Sequence, residues 1–106
     1  MNETDFEAQA TATLGALERA LESCGEDFDF ELKAGGILEI EFEDGTKVII
    51  NRHAAAREIW VAARSGGFHY RWDGQVWRNT RDGSELFAAL SALLSEQLGR
   101  GVRLLG

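Results

Sequence analysis

Apolar residues set the first element of the chain. Phe6, Ala10, Leu14, Leu17 and Leu21 recur at three- and four-residue steps, the spacing of one face of an α-helix. Thr4-Asp5-Phe6-Glu7 reads as a capping box, with the Thr4 hydroxyl accepting the third-residue amide and Glu7 reaching back. Gly25 ends the helix. Gly15 interrupts good helix formers at a cost of roughly 1 kcal/mol against alanine, so it is expected to mark close packing against another element. The period then changes from 3.6 to 2. Asp27-Phe28-Asp29-Phe30-Glu31-Leu32 and Leu38-Glu39-Ile40-Glu41-Phe42-Glu43 alternate strictly, as strands with one covered and one wet face do. Gly35-Gly36 separates them, and Asp44-Gly45 is a tight hairpin signal leading into Lys47–Arg52.

Further strands are predicted at Glu58–Arg64, Phe68–Trp72 and Gln75–Asn79, with turns at Gly66-Gly67 and Asp73-Gly74. A second helix starts after Asp82 or Ser84 as cap and carries Leu86, Phe87, Leu90, Leu93, Leu94 and Leu98 on its apolar face. Gly99 stops it. Val102 and Leu104-Leu105 are too apolar to float free and are expected to fold back on the helices. Short connections make neighbouring strands antiparallel. A helix, six strands and a helix, with one apolar sheet face to cover, predict an α+β two-layer sandwich: a six-stranded antiparallel sheet with both terminal helices packed on one face. Its 106 residues make one domain, 1–106.

Charge changes the picture. The formal net charge is −7, but residues 1–44 hold thirteen Asp/Glu against two Lys/Arg, a balance of −11, and residues 45–106 hold five against nine, +4. One flank therefore carries a strong negative field. Nucleic acid, which needs the opposite sign, is an unfitting partner, whereas cations and basic protein surfaces fit. The longest apolar run is far short of a membrane span, and no cationic-then-apolar leader precedes it, so a cytoplasmic, membrane-free protein is expected. The single cysteine, Cys24, cannot form an internal disulfide. Alone it cannot cage zinc or hold an iron–sulfur cluster, sites that take about four protein ligands.

The carboxylates Glu18, Glu22, Glu26, Asp27, Asp29 and Glu31 run from the end of the first helix into the first strand. Glu18 and Glu22 share a helix face; Asp27, Asp29 and Glu31 share a strand face; Glu39, Glu41 and Glu43 share a face of the next strand. Like charges so placed cost a few tenths of a kcal/mol each. Either solvent screens them or something positive binds them, and hard oxygen donors suit Fe³⁺, Fe²⁺, Mn²⁺ or Ca²⁺. Alternation places Trp60 opposite Ile59 and Val61. If that aliphatic pair faces the helices, Trp60 is exposed on the open sheet face with Lys47, Ile49 and Asn51; otherwise it is core. Trp72 and Trp77 are assigned to packing. His53 and His69, sixteen residues apart, do not have metal-ligand spacing, although His69 can share the Trp60 side. Cys24 is read as a small buried hydrophobe. No nucleophile motif or phosphate loop is present, and an open, wet strand face is unsuited to acid–base catalysis. The chain is read as a non-enzyme.

Val48-Ile49-Ile50-Asn51-Arg52, then Ile59-Trp60, then Gly66-Gly67-Phe68-His69-Tyr70 resemble the central motif of the frataxin family, and length and element order agree over essentially the whole chain. Two positions depart from the family pattern: His53 stands where glutamine is usual, and Ala55 where proline is. The resemblance implies the same sandwich and an acidic ridge, here Glu18, Glu22, Glu26, Asp27, Asp29 and Glu31. In the family that ridge binds iron (Fe²⁺/Fe³⁺) weakly and exchangeably and docks on a basic surface of cysteine desulfurase. It further implies that Asn51, Trp60 and His69 join Glu18 and Glu22 in partner binding, that the iron–sulfur scaffold protein is a second partner, and that the chain is a monomer, with iron-dependent self-association as the alternative. A regulator of iron–sulfur cluster assembly, an iron carrier and a generic acidic interaction module all remain open at this point.

Overall fold

The computed structural model describes residues 1–25 and 28–104. Helix α1 (Glu3–Cys24) is followed by strands β1 (Phe28–Lys33), β2 (Ile37–Phe42), β3 (Lys47–His53), β4 (Glu58–Ala63), β5 (Gly66–Trp72) and β6 (Trp77–Asn79), and then by helix α2 (Leu86–Leu98). The strands form one antiparallel meander in the order β1-β2-β3-β4-β5-β6. Sequential neighbours pair throughout, the simplest route for short connections. Between β3 and β4 a single 3-10 turn, Ala54–Ala56, lies at the position of the departure from the family pattern.

Register separates the two faces as alternation predicts. Leu38, Ile40, Phe42, Val48, Ile50, Ile59, Val61, Tyr70 and Trp77 meet Phe6, Ala10, Leu14, Leu17, Leu21, Leu86, Leu90 and Leu94 in one core. Full burial of each large aliphatic there contributes roughly 1.5–3 kcal/mol. The tail folds back as expected. Val102 and Leu104 are buried, and their amides donate to the Ser95 and Ser91 hydroxyls at 2.8 and 2.9 Å. Leu105 lies outside the described residues. Trp77 packs as assigned, edge-on to Phe6, and its Nε1 donates to the Thr13 hydroxyl at 2.8 Å.

Five local expectations need correction. Helix α1 is capped two residues before Thr4: Asn2 is its cap, and Asn2 Oδ1 accepts the Asp5 amide at 2.8 Å. Asparagine caps at least as well as threonine, and the earlier start places Glu3 and Asp5 at the positive end of the helix. Helix α2 is capped by Glu85, whose two carboxylate oxygens accept the Phe87 and Ala88 amides at 2.7 and 3.1 Å. Asp82 and Ser84 instead close their own turn. Gly66-Gly67 belongs to β5, and the turn falls on Arg64-Ser65; Gln75 and Val76 lie outside β6 because both their amides donate to Asp73 Oδ1. Gly15 packs against no other element, since a methyl group there would meet only the Arg19 guanidinium, at 3.4 Å.

Arg52 ties the layers together. Its Nη1 lies 2.9 Å from Glu7 Oε2 and 3.3 Å from the Thr11 hydroxyl, and its amide donates to Gly36 O at 3.2 Å. One residue of β3 thus joins α1, through its side chain, to the β1–β2 turn, through its backbone.

Candidate functional site

Two surfaces carry the residues singled out from sequence. The first is acidic. On the open face, Asp29 lies opposite Glu41 and Glu31 opposite Glu39 across the β1–β2 ladder. Glu39 is neutralised, with Lys33 and Lys47 at 3.0 and 2.9 Å; hydrogen bonds from Lys47 and then Lys33 hold its carboxyl below the ordinary range. Glu43 lies past the end of β2, in the turn. Helix α1 turns Gln9, Ala12, Thr13 and Ala16 towards Trp72, Trp77 and the start of α2. Its opposite flank, at helical spacing Glu7, Thr11, Glu18 and Glu22, therefore looks to the β1 side of the sheet. The acidic surface is thus a ridge that wraps around the β1 edge, with Glu18 and Glu22 on the helix side and Asp29 and Glu31 on the open side. Glu22, Asp29 and Glu31 are exposed and Glu18 half-buried. Among the described residues no cation pairs with any of these four. Glu26 and Asp27, named with them from sequence, lie outside the described residues. Among the described residues no three carboxylate, imidazole or thiol groups converge to hold a metal ion. Cys24, half-buried at the end of α1, donates its thiol to Leu21 O.

The second surface is on the same open face, three strands away. Trp60 stands opposite Asn51 on β3 and His69 on β5. It is half-buried rather than exposed, because imidazoles cover both faces of its indole. His53 stacks on one side with ring centroids 3.8 Å apart and planes 9° apart, and His69 on the other at 4.5 Å and 10°. Trp60 Nε1 donates to Glu58 Oε1 at 2.8 Å, and Arg71 Nε donates to Glu58 Oε2 at 2.7 Å. His69 Nδ1 is 3.6 Å from Glu58 Oε1. The Glu58 side chain is only 8% exposed. Burial pushes its carboxyl up, but hydrogen bonds from Trp60 and Arg71, the Arg71 charge and His69 pull harder and hold it below the ordinary carboxylate range. His53 Nδ1 accepts the Ala56 amide at 3.3 Å, so the stack also caps the β3–β4 turn. Two consequences follow. The part of Trp60 left open is a ring edge, not an indole face. And Trp60 is held in one orientation by three flanking side chains.

Sequence reasoning missed Glu58, His53 and Arg71 as members of this site. The signal was there in part: Glu58 and Trp60 are two apart on one strand and so share a face. Placing His53 and Arg71 beside them needs the β3–β4–β5 register, which no local pattern supplies.

Two grooves, of about 350 and 370 Å³, lie on the helix side of the sheet. Several of their polar groups serve the fold: Thr13 bonds Trp77 and Gln9 O, Glu85 caps α2, and Asp82 holds Ser84. Among the described residues no helix is long and apolar enough to cross a membrane.

The arrangement is that of an α+β sandwich whose distinctive chemistry lies on open surfaces rather than in a cleft. The chain matches the frataxin-like domain family over residues 1–100, and it belongs to that family. It is 55% identical over 102 residues to the iron-sulfur cluster assembly protein CyaY of Dechloromonas aromatica (strain RCB), covering 96% of this chain and 97% of that one. It is 48% identical over 107 residues to the protein of the same name from Cupriavidus necator, covering 98% and 96%. Its fold superposes on a frataxin from Psychromonas ingrahamii with a TM-score of 0.91 at 31% identity, covering 100% of both chains. A trimeric frataxin from the yeast Saccharomyces cerevisiae, complexed with ferrous iron, shares the fold with a TM-score of 0.66 at 22% identity, over 94% of this chain and 88% of that one.

Proposed function

We propose that this protein is an iron-binding regulator of iron–sulfur cluster assembly that works by binding, not catalysis. Its ridge of Glu18, Glu22, Glu26, Asp27, Asp29 and Glu31 docks on a basic surface of cysteine desulfurase and holds iron weakly. The observation that carries this reading is the set of four described ridge carboxylates with no counter-ion of their own, in a member of a family whose relatives are named for cluster assembly. Uncompensated like charges cost stability, so their persistence on one edge favours an external cation. Iron fits the donor chemistry, since oxygen ligands suit Fe²⁺ and Fe³⁺. The described carboxylates do not converge, which favours water-rich, exchangeable coordination over a cage. Asn51, Trp60 and His69 form a second contact on the open face, for the desulfurase or for the scaffold protein. Its anchor is the edge of Trp60, an enriched residue type at binding hot spots.

The test is the double reversal Glu18→Lys/Glu22→Lys, with desulfurase affinity measured across a salt series. The reading expects the wild-type complex to weaken with salt, because exposed charges are screened beyond about 8 Å at physiological ionic strength. It expects the reversal to lower affinity tenfold or more and to flatten the salt dependence, with the fold intact. Unchanged binding would overturn it. Repeating the assay with a chelator separates regulator from carrier: a regulator still binds and still alters desulfurase rate, and a carrier does not.

A further inference from the structure

The two edges of the sheet are unlike. On the β6 side the edge is three residues long, and an isolated bridge from Arg78 to Glu85 covers it. On the other side, β1 offers six residues bonded along one side only, to β2. Among the described residues no backbone hydrogen bond reaches β1 from outside that ladder. An unpaired edge is a template for another strand. β1 has none of the usual blunting by proline, and it carries Leu32, one of the two exposed large hydrophobic residues among those described, at 42% exposure.

We infer that the outer edge of β1 takes an extended segment of a partner as a seventh strand, with cationic and apolar side chains alternating along it. The pattern follows from the two sides of β1. A strand added there would send one set of side chains to the open face, beside the exposed carboxylates of Asp29 and Glu31. The other set would lie beside half-buried Phe28 and Phe30 and exposed Leu32, below the Glu18–Glu22 flank of α1. Cations fit the first set and the tips of the second; apolar groups fit Phe28, Phe30 and Leu32. A second copy of this chain is the wrong occupant. Of the two registers with most overlap and faces matched, one sets Asp29 against Glu31 twice and the other sets Glu31 against itself while Asp29 meets Lys33, so neither is free of like charges directly opposite, which destabilise. The inference rests on the acidic-ridge reading and narrows it, from any basic surface to a basic strand.

The experiment uses the full chain, ¹⁵N-labelled, and three synthetic eight-residue peptides: alternating Lys-Val, the same composition as a Lys block followed by a Val block, and the alternating peptide N-methylated at every second residue. The expected result is that the alternating peptide shifts the amides of residues 28–33 and slows their hydrogen exchange. The block peptide binds at least tenfold more weakly, and N-methylation on the pairing side abolishes the exchange protection. In Asp29→Lys/Glu31→Lys the preference inverts to an alternating Glu-Val peptide. Equal affinity for all three peptides, or shifts confined to α1, overturns strand addition. So does concentration-dependent dimerisation through β1 in the absence of peptide. A loss of desulfurase binding in Glu18→Lys/Glu22→Lys would still stand in those cases, so the two ideas fail separately.

Discussion

Glu58 and the ridge carboxylates are the same functional group put to opposite uses. Glu58 is buried, and three side chains on β4 and β5 face it: the Trp60 indole N–H, the Arg71 guanidinium and His69. Glu22, Asp29 and Glu31 stand exposed and Glu18 half-buried, and among the described residues none of the four forms an ion pair. A buried, fully bonded carboxylate is insensitive to salt and costly to disturb. Exposed ones are cheap to change, and what they do is read out by whatever binds them. The difference teaches that charge count alone says little here: partners within the fold decide whether an acid holds the structure or addresses the outside.

Removing Glu58 should break that contrast most visibly. Glu58→Ala leaves the Trp60 N–H and Arg71 without their acceptor, and is expected to cost about 2–4 kcal/mol in urea unfolding, with little dependence on salt. A cost under 0.5 kcal/mol would mean that the network is decorative. Glu18→Lys/Glu22→Lys should leave urea stability within about 0.5 kcal/mol of wild type, whatever it does to binding. Next comes His53→Gln, which removes one ring from the stack and restores the usual family residue. It is expected to cost about 0.5–1.5 kcal/mol and to change the indole signals of Trp60 in NMR while those of Trp72 and Trp77 stay in place.

Acid sharpens the comparison from another side. Glu39, Asp44, Glu58, Asp73 and Asp82 all have pKa values lowered in the fold. Asp73 reaches about 2, through the Val76 and Gln75 amides and then Arg78. Each contributes stability that is fully present above its ordinary value of 4.5 for Glu or 3.8 for Asp. That stability is lost as pH falls through the lower folded value. Urea midpoints should therefore drop between about pH 4.5 and pH 2, and Asp73→Asn should flatten the lowest part of that curve. A gain rather than a loss is expected from Gly15→Ala, which should add about 0.5–1 kcal/mol, because only the Arg19 guanidinium lies near the new methyl. A loss there would reinstate the close packing that the sequence suggested.

The sandwich was legible because its two periods are clean: Phe6 to Leu21 at helical spacing, and Phe28 to Phe42 at strand spacing. That Asn51, Trp60 and His69 share one side of the sheet followed from the same alternation, while whether that side was open or covered did not. What local pattern could not supply was competition and register. Asn2 and Glu85 took the helix caps from Thr4 and from Asp82 or Ser84, and Asp73 drew Gln75 and Val76 into its turn. His53 and His69 meet only through Trp60, because β3, β4 and β5 are in register. That meeting turned an exposed indole into a clamped one. The ridge was legible as charge, but its wrapping around the β1 edge was not, since helix and strand carboxylates lie on different sides of the sheet.

Arg52 has a consequence for which substitutions the chain can accept. A methyl group at position 36 would lie 2.5 Å from Arg52 Nε and 2.6 Å from its Cδ, on a backbone with φ of 75°. Any side chain at that turn would evict the arginine and, with it, the link to Glu7 and Thr11. The tie between the first hairpin and the long helix thus hangs on a missing carbon atom, and a mutational scan should find position 36 intolerant while the exposed ridge varies freely in everything but sign.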